Sequence, residues 1–466
     1  MSEEKNEAQE WKDRLFFENK HADDFLSETE KVSADEFCEG YKDFLDAAKT
    51  EREACAEIVR MAKENGYTAF SKNVCYNPGD KVYFVIHNKA VILTVFGKQE
   101  LAKGVRIAAA HIDSPRLDLK PNPLYEDSDI AYFKTHYYGG IRKYHWPTVP
   151  LALHGVVCKT DGSTIQVRIG EEPGDPKLVI SDLLPHLGAK QGQRTLADGI
   201  RGEELNIIIG SRKFPDCTSD AVKLAIMKIL YEKYDFTEKD FQSAELEAVP
   251  AYKADDIGLD RSMIGAYGQD DRVCAYPAVM ASIDTEIPEY TCLSVLTDKE
   301  EIGSEGNTGL ESRFLAQFIS DLASLEESDV NDVLRSSQCL SADVNAAFDP
   351  NFADVFEKRN TAFLNRGVVI TKYTGARGKS GTNDASAEFM GKVRTVLENG
   401  KVLWQTGELG KVDEGGGGTV AKFISHLGVE TVDLGVPVLS MHSPYEVTAK
   451  YDIYMAYRAF CEFFKS

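Results

Sequence analysis

Between Phe37 and Glu64 apolar residues recur at three- and four-residue intervals (Phe37, Tyr41, Phe44, Leu45, Ala48, then Ala54, Ile58, Met61). That spacing keeps one face of a helix dry and predicts amphipathic helix. From Lys81 the period changes: Val82 to Ile86 and Ala90 to Phe96 flank the polar His87-Asn88-Lys89 and predict two strands joined by a short turn. The apolar run Val105 to Ala110 delivers His111, Ile112 and Asp113 to its carboxyl end. Residues 118–254 have a different texture. Strand-like runs (Ala152 to Val157, Ile165 to Ile169) are broken by Gly, Pro and acidic residues, and the stretches Glu171 to Lys177 and Gln191 to Arg194 predict long surface connections.

Beyond residue 255 strand and helix patterns alternate again. Tyr290 to Leu296, Gly367 to Thr371, Lys401 to Thr406 and Val432 to Ser440 predict strands, and Asp452 to Phe464 predicts a closing helix with one apolar face. The alternation predicts an α/β fold, a mixed or mainly parallel sheet flanked by helices, with 118–254 as a separate β-rich module. A chain of 466 residues has room for two or three such units.

Charge narrows the partners. Acidic side chains outnumber basic ones 75 to 53, and a net charge of -22 opposes attraction to nucleic acid or to anionic lipid. The longest apolar stretches, such as Ala90 to Phe96 and Val436 to Leu439, fall far short of a bilayer span, and Met1 to Arg14 lacks the pattern of an export signal. Nine cysteines without a CxxC pair predict reduced thiols, mostly among apolar neighbours as at Cys55, Cys158, Cys274 and Cys461; a cytoplasmic protein fits them.

Several short motifs fall at predicted strand ends, where ligands collect in open α/β sheets. His111-Ile112-Asp113 places a carboxylate two residues from an imidazole, on the same side of an extended strand, where it can orient the ring for a metal. Asp270-Asp271-Arg272 reads alone as a solvated turn. Glu300-Glu301 follows an apolar strand, and like charges so placed are costly without a cation. Asp343 in Ser341-Ala342-Asp343 and His442 at the end of Thr431 to Leu439 complete the set. Imidazoles and carboxylates without sulfur suit two divalent ions, zinc, cobalt or manganese, in a hydrolytic site, not a structural zinc site. One of the adjacent Glu residues is surplus to ligation and free to serve as general base.

These motifs resemble the M18 metallopeptidase family, the aspartyl aminopeptidase and aminopeptidase I group. HxDSP appears as His111-Ile-Asp-Ser-Pro115, D-x-E-E-x-G-S as Asp298-Lys-Glu-Glu-Ile-Gly-Ser304, S-A-D as Ser341-Ala-Asp343, and L-S-M-H-S as Leu439-Ser-Met-His-Ser443. The resemblance implies an aminopeptidase acting on peptides, with a zinc-exopeptidase-like catalytic domain in two pieces, 1–117 and 255–466, interrupted by a dimerisation or lid domain, 118–254. It implies two metal ions per subunit, most simply zinc. Asp270 bridges them, with Asp271 as the fallback; His111 and Asp343 complete one site, Glu301 and His442 the other. Glu300 becomes the general base and Asp113 orients His111. It further implies dimers assembling into a tetrahedral dodecamer.

The chain also departs from the family pattern. Asp270-Asp271-Arg272 stands where Asp-Asn is usual, similar to the related M42 peptidases, and Ala346 and Asp349 replace two histidines of A-D-M-A-H-A-x-H-P-N. A preference for acidic amino-terminal residues would require a cation in the pocket, for which Lys372, Arg377 and Lys379 are candidates. The glycine run containing Gly417 and the segment Tyr138 to Trp146, with His145 reaching a neighbouring subunit in relatives, are further substrate-side candidates. Two other readings compete: another two-metal amidohydrolase (a deacylase or carboxypeptidase), or a non-catalytic assembly scaffold.

Overall fold

A computed structural model describes residues 7–466; residues 1–6, part of the segment read above as lacking an export signal, lie outside them. No helix among the described residues is long and apolar enough to cross a membrane. The apolar period over Phe37 to Glu64 resolves into two helices, Glu28–Ala47 and Glu51–Glu64. The break follows from Thr50, whose hydroxyl accepts the Glu53 N–H while the Glu53 carboxylate caps the Thr50 N–H, so a new helix starts there. The strands Lys81–Ile86 and Ala90–Val95 form the expected hairpin, with His87 and Asn88 both at positive φ (50° and 56°) in the turn.

The main sheet has nine strands. Its central four, Cys292–Thr297, Arg106–His111, Gln338–Ser341 and Glu430–Gly435, run parallel, and antiparallel neighbours on both sides make the sheet mixed. Alternate residues of one strand serve opposite layers. Ala108 and Ala110 pack with the helices Gln269–Asp284 and Lys450–Phe464, whereas Ile107 and Ala109 pack with Phe314–Ser324 on the other face. Strands covered on both faces read as continuous apolar runs, which is why they stand out in the sequence.

A second, six-stranded antiparallel sheet takes its strands from Arg116–Asp127 to Ala244–Pro250, with its own core around Trp146, Leu153, Phe236 and Phe241. The helix Ala221–Tyr234 packs on this sheet, an element the β-rich reading of the segment did not single out. The run Val432 to Ser440, read as one strand, is two: Glu430–Gly435 in the main sheet and Pro437–Leu439 in a small five-stranded sheet. Pro437 lacks the N–H a continuing ladder needs, and the chain changes sheets there. All nine cysteines are unpaired; most are buried, but Cys158, at the end of an outer strand pair, is exposed.

Candidate metal centre and active site

The site forms where the carboxyl ends of the parallel strands meet the small sheet. Arg106–His111 ends on His111, Cys292–Thr297 leads to Glu300 and Glu301, and Gln338–Ser341 leads to Asp343. The small sheet supplies the rest: Asp270 follows its strand Met263–Ala266, and His442 lies in the turn between Pro437–Leu439 and Glu446–Ala449. Gly435 permits the closeness of these elements, since a Cβ there would lie 1.7 Å from the Asp343 carbonyl oxygen.

The two histidines are set alike. The His111 Nδ1 is 3.0 Å from the Asp113 backbone carbonyl oxygen, and its Nε2 faces the Asp270 Oδ1 at 3.0 Å. The His442 Nδ1 is 2.9 Å from the Gly140 carbonyl, and its Nε2 faces the Asp270 Oδ2 at 3.1 Å and the Glu301 Oε2 at 3.7 Å. With Nδ1–H donated to a carbonyl oxygen, each ring presents Nε2 inward, the tautomer a metal requires. Asp270 therefore lies between both rings with one oxygen towards each. Asp271, the alternative bridge, makes no ion pair with either ring among the described residues, and burial, opposed by the charge of His111 and by the Cys274 thiol, pushes its carboxyl well up.

Asp343 is 3.9 Å from the His111 Nε2. His111, Glu300 and Asp343 can together offer ligand atoms within 4.8 Å of one another, and so can His111, Asp270 and Glu301. No Lys or Arg ion pair to any of the four carboxylates is present among the described residues, where their basic partners are the two imidazoles. Burial followed by the like charge of neighbouring carboxylates raises Asp343 and Glu301 well above the ordinary carboxylate range, and burial brings Glu300 to about 7. Burial opposes charge on the imidazoles, but the carboxylates outweigh it: His442 is pushed up to about 11, and His111 also lies well above its usual value. The Glu301 Oε1 is buried without a partner. Oxygen and imidazole ligands, shared protons and an orphaned carboxylate oxygen fit a divalent cation.

Asp113 does more than its spacing implied. Its carboxylate is 3.3 Å from the His111 Nδ1, but it also accepts the Glu300 N–H (3.1 Å), the Glu301 N–H (3.2 Å) and the Tyr138 hydroxyl (2.8 Å). Glu446 was not singled out from the sequence; it is buried and accepts the His442 N–H and the Asp270 N–H, tying two ligand-bearing turns together. The substrate-side candidates lie outside the cluster. Lys372 and Lys379 both pair with Asp384, at 2.5 and 3.0 Å, beside a cavity of about 160 Å³ lined by Tyr373, Arg377, Lys379 and Glu408. Gly417 lies beside Leu409, and His145 packs edge-on against Tyr144 with its Nδ1 buried and unpartnered.

Strand-end carboxylates and inward-turned imidazoles on an α/β sheet define a metallohydrolase. Residues 44–464 match the family described as aminopeptidase I zinc metalloprotease (M18). The chain is 49% identical over 423 residues to a probable M18 family aminopeptidase 1 of Clostridium acetobutylicum, covering 89% of this chain and 91% of that one. A counterpart from Thermotoga maritima is 44% identical over 440 residues, 93% of this chain and 97% of its own. The crystal structure of an M18 aminopeptidase from Thermotoga maritima superposes with a TM-score of 0.93 at 42% identity, covering 97% of this chain and 100% of that one. The chain belongs to the M18 family and is a metal-dependent aminopeptidase.

Proposed function

We propose that this aminopeptidase removes amino-terminal residues from peptides at a centre of two divalent ions, with Glu300 as general base. The observation that carries the reading is the placement of Asp270, one oxygen towards each inward-turned imidazole. His111 and Asp343 would hold one ion and His442 and Glu301 the other, with Asp270 between them. When bound, such ions polarise the scissile carbonyl and acidify the attacking water.

The rest is the work of the chain. Glu300 takes a proton from the water and passes it to the departing amine nitrogen. Glu300 offers its carboxylate oxygen within 4.8 Å of ligand atoms of His111 and Asp343, which places it for both transfers. The Glu300 and Glu301 N–H groups, held by Asp113, fix the Glu pair so that one carboxylate faces substrate while the other stays with His442. Carboxylates around the site attract a free α-amine, which favours exopeptidase action over cleavage within a chain.

Three finer readings accompany this one. Residues 118–254 act as an inserted dimerisation or lid domain on a catalytic domain of 1–117 and 255–466. The subunits assemble as dimers into a tetrahedral dodecamer; a yeast aminopeptidase of the same fold is itself a dodecamer. The enzyme works in the cytoplasm, which the unpaired cysteines favour. An acidic amino-terminal preference draws less support, because Lys372 and Lys379 lie outside the metal cluster and Asp384 offsets one of their two charges.

The test is hydrolysis of an aminoacyl-anilide panel (Asp, Glu, Leu, Lys and amino-blocked members) by protein stripped with chelator and reloaded with zinc, cobalt or manganese. Metal-dependent release confined to free-amine substrates is expected. Release from amino-blocked substrates would point to a deacylase instead, and silence with every metal to a scaffold.

A further inference from the structure

The corner Tyr138-Gly139-Gly140, at the end of the strand Ile130–Tyr138 of the six-stranded sheet, touches the site at three points. The Tyr138 hydroxyl donates to the Asp113 Oδ2 at 2.8 Å, and the same oxygen accepts the Glu301 N–H. Gly139, at φ +75°, passes so close to Glu301 that an added Cβ would lie 3.1 Å from its Oε2. The Gly140 carbonyl takes the His442 Nδ1 at 2.9 Å, and a Cβ on Gly140 would lie 3.2 Å from that nitrogen. The corner is itself braced. The Arg116 guanidinium lies 3.9 Å from the centre of the Tyr138 ring and pairs with Asp118 (2.8 Å), Glu247 (3.1 Å) and Glu51 (3.3 Å), the last on the helix Glu51–Glu64.

We propose that Tyr138 and Gly140 are positioning residues: the six-stranded sheet inserts this corner to hold Glu301 and His442 at metal-binding separation, Tyr138 acting through Asp113 and Gly140 through its carbonyl. The inference rests on the aminopeptidase reading above and adds that the site is completed by the second sheet. A side chain touching Asp113 cannot act on substrate directly; its effect is on the angle at which the Glu pair is presented. Partners of this kind, outside the ligands themselves, carry about 10–100-fold in metal affinity or activity.

The experiment compares the full-length parent with Tyr138→Phe, which keeps the ring over Arg116 and removes only the hydroxyl. Zinc affinity is read by chelator competition, and kcat and KM are read on a free-amine anilide. The expected result is a kcat lowered about 10-fold or more, KM within about twofold, and zinc bound about 10–100-fold more weakly. Values of kcat and zinc affinity both within twofold of the parent would overturn the proposal, whatever happens to Tm. Gly140→Ala provides an independent reading should the first variant fail to fold: weaker zinc binding through a displaced His442 supports the proposal, and unchanged affinity rejects it. Because zinc binding is read without substrate, the two readings separate. A parent that hydrolyses nothing, with zinc binding weakened by Tyr138→Phe, sinks the peptidase reading and leaves the positioning role standing.

Discussion

Two buried groups of carboxylates lie close together in this molecule, and they have different counter-charges. At the junction between the helix Glu51–Glu64 and the six-stranded sheet, Glu51 and Glu247 are almost wholly buried but meet Arg116, and Glu51 also meets Lys89 at 3.4 Å. Burial opposes charge on Glu51, yet Arg116 and Lys89 overcome it and hold its carboxyl at about 2, whereas at Glu247 burial and the like charge of Glu51 and Asp118 outweigh Arg116 and push the carboxyl well up. In the active site Asp270, Glu300, Glu301 and Asp343 have two imidazoles and no Lys or Arg partner among the described residues, and burial drives three of the four upward. The difference teaches how to tell a structural ion cluster from a site built for a cation: the first carries its own counter-charge, and the second takes one from outside.

Removing the metal breaks the comparison most severely. Chelation should abolish hydrolysis and lower Tm, since zinc at a thousand times its dissociation constant contributes about 4 kcal/mol to the folded state. The junction cluster should be indifferent to it. Activity and Tm measured across a chelator titration check both; activity that persists in metal-free protein would end the metallopeptidase account.

Glu300→Gln is expected to cost next most, about 10²–10⁴ in kcat, the range for losing a general base. Zinc affinity should change little, because the remaining carboxylates and imidazoles stay in place. Single-turnover rates beside chelator competition would show the split, and a variant of parental rate refutes the role given to Glu300.

At the junction the corresponding change acts on stability. Arg116→Met leaves Glu247 in the interior without its cation and Glu51 with Lys89 alone, and should cost about 3–5 kcal/mol, read from denaturant unfolding. A loss below about 1 kcal/mol would mean that water reaches these carboxylates.

These contrasts also explain how much was legible in the sequence. His111, Glu300, Glu301 and His442 stood out because each follows a predicted apolar strand, whereas Asp343, after a strand that was not predicted, stood out only through its Ser341-Ala342-Asp343 motif. Asp270 had no such signal: Asp270-Asp271-Arg272 reads as a turn, and only the placement of one carboxylate between two rings separates it from Asp271. Tyr138 was read only as the start of a substrate-side segment, and Glu446 not at all, for another reason. They act on backbone N–H groups or on another side chain from far along the chain, 25 residues separating Tyr138 from Asp113 and 176 separating Glu446 from Asp270. The split of Val432 to Ser440 between two sheets was hidden because both halves are equally apolar; Pro437 was the one available sign.

Asp433 sharpens the comparison by supplying a third solution, and the smallest expected effect. It lies opposite Ser341 in the main sheet, buried, its Oδ1 accepting the Thr419 hydroxyl at 2.7 Å. Among the described residues no Lys, Arg or His pairs with it and it belongs to no metal-ligand group, so a proton is the counter-charge left to it. Burial, opposed by the Thr419 and Ser341 hydroxyls, raises its carboxyl to about 7. An unfolded Asp titrates near 3.9, so between those values the folded state binds more protons than the unfolded one. The associated stability is present in full below about pH 4 and is lost as pH rises towards 7, with a slope of at most about 1.4 kcal/mol per unit. Asp433→Asn retains an acceptor for Thr419 without a titrating proton. Its stability relative to the parent should therefore rise from pH 4 to 7 and level off above. A difference between the two that is flat across that range would place a cation beside Asp433 and move it into the class of its neighbours.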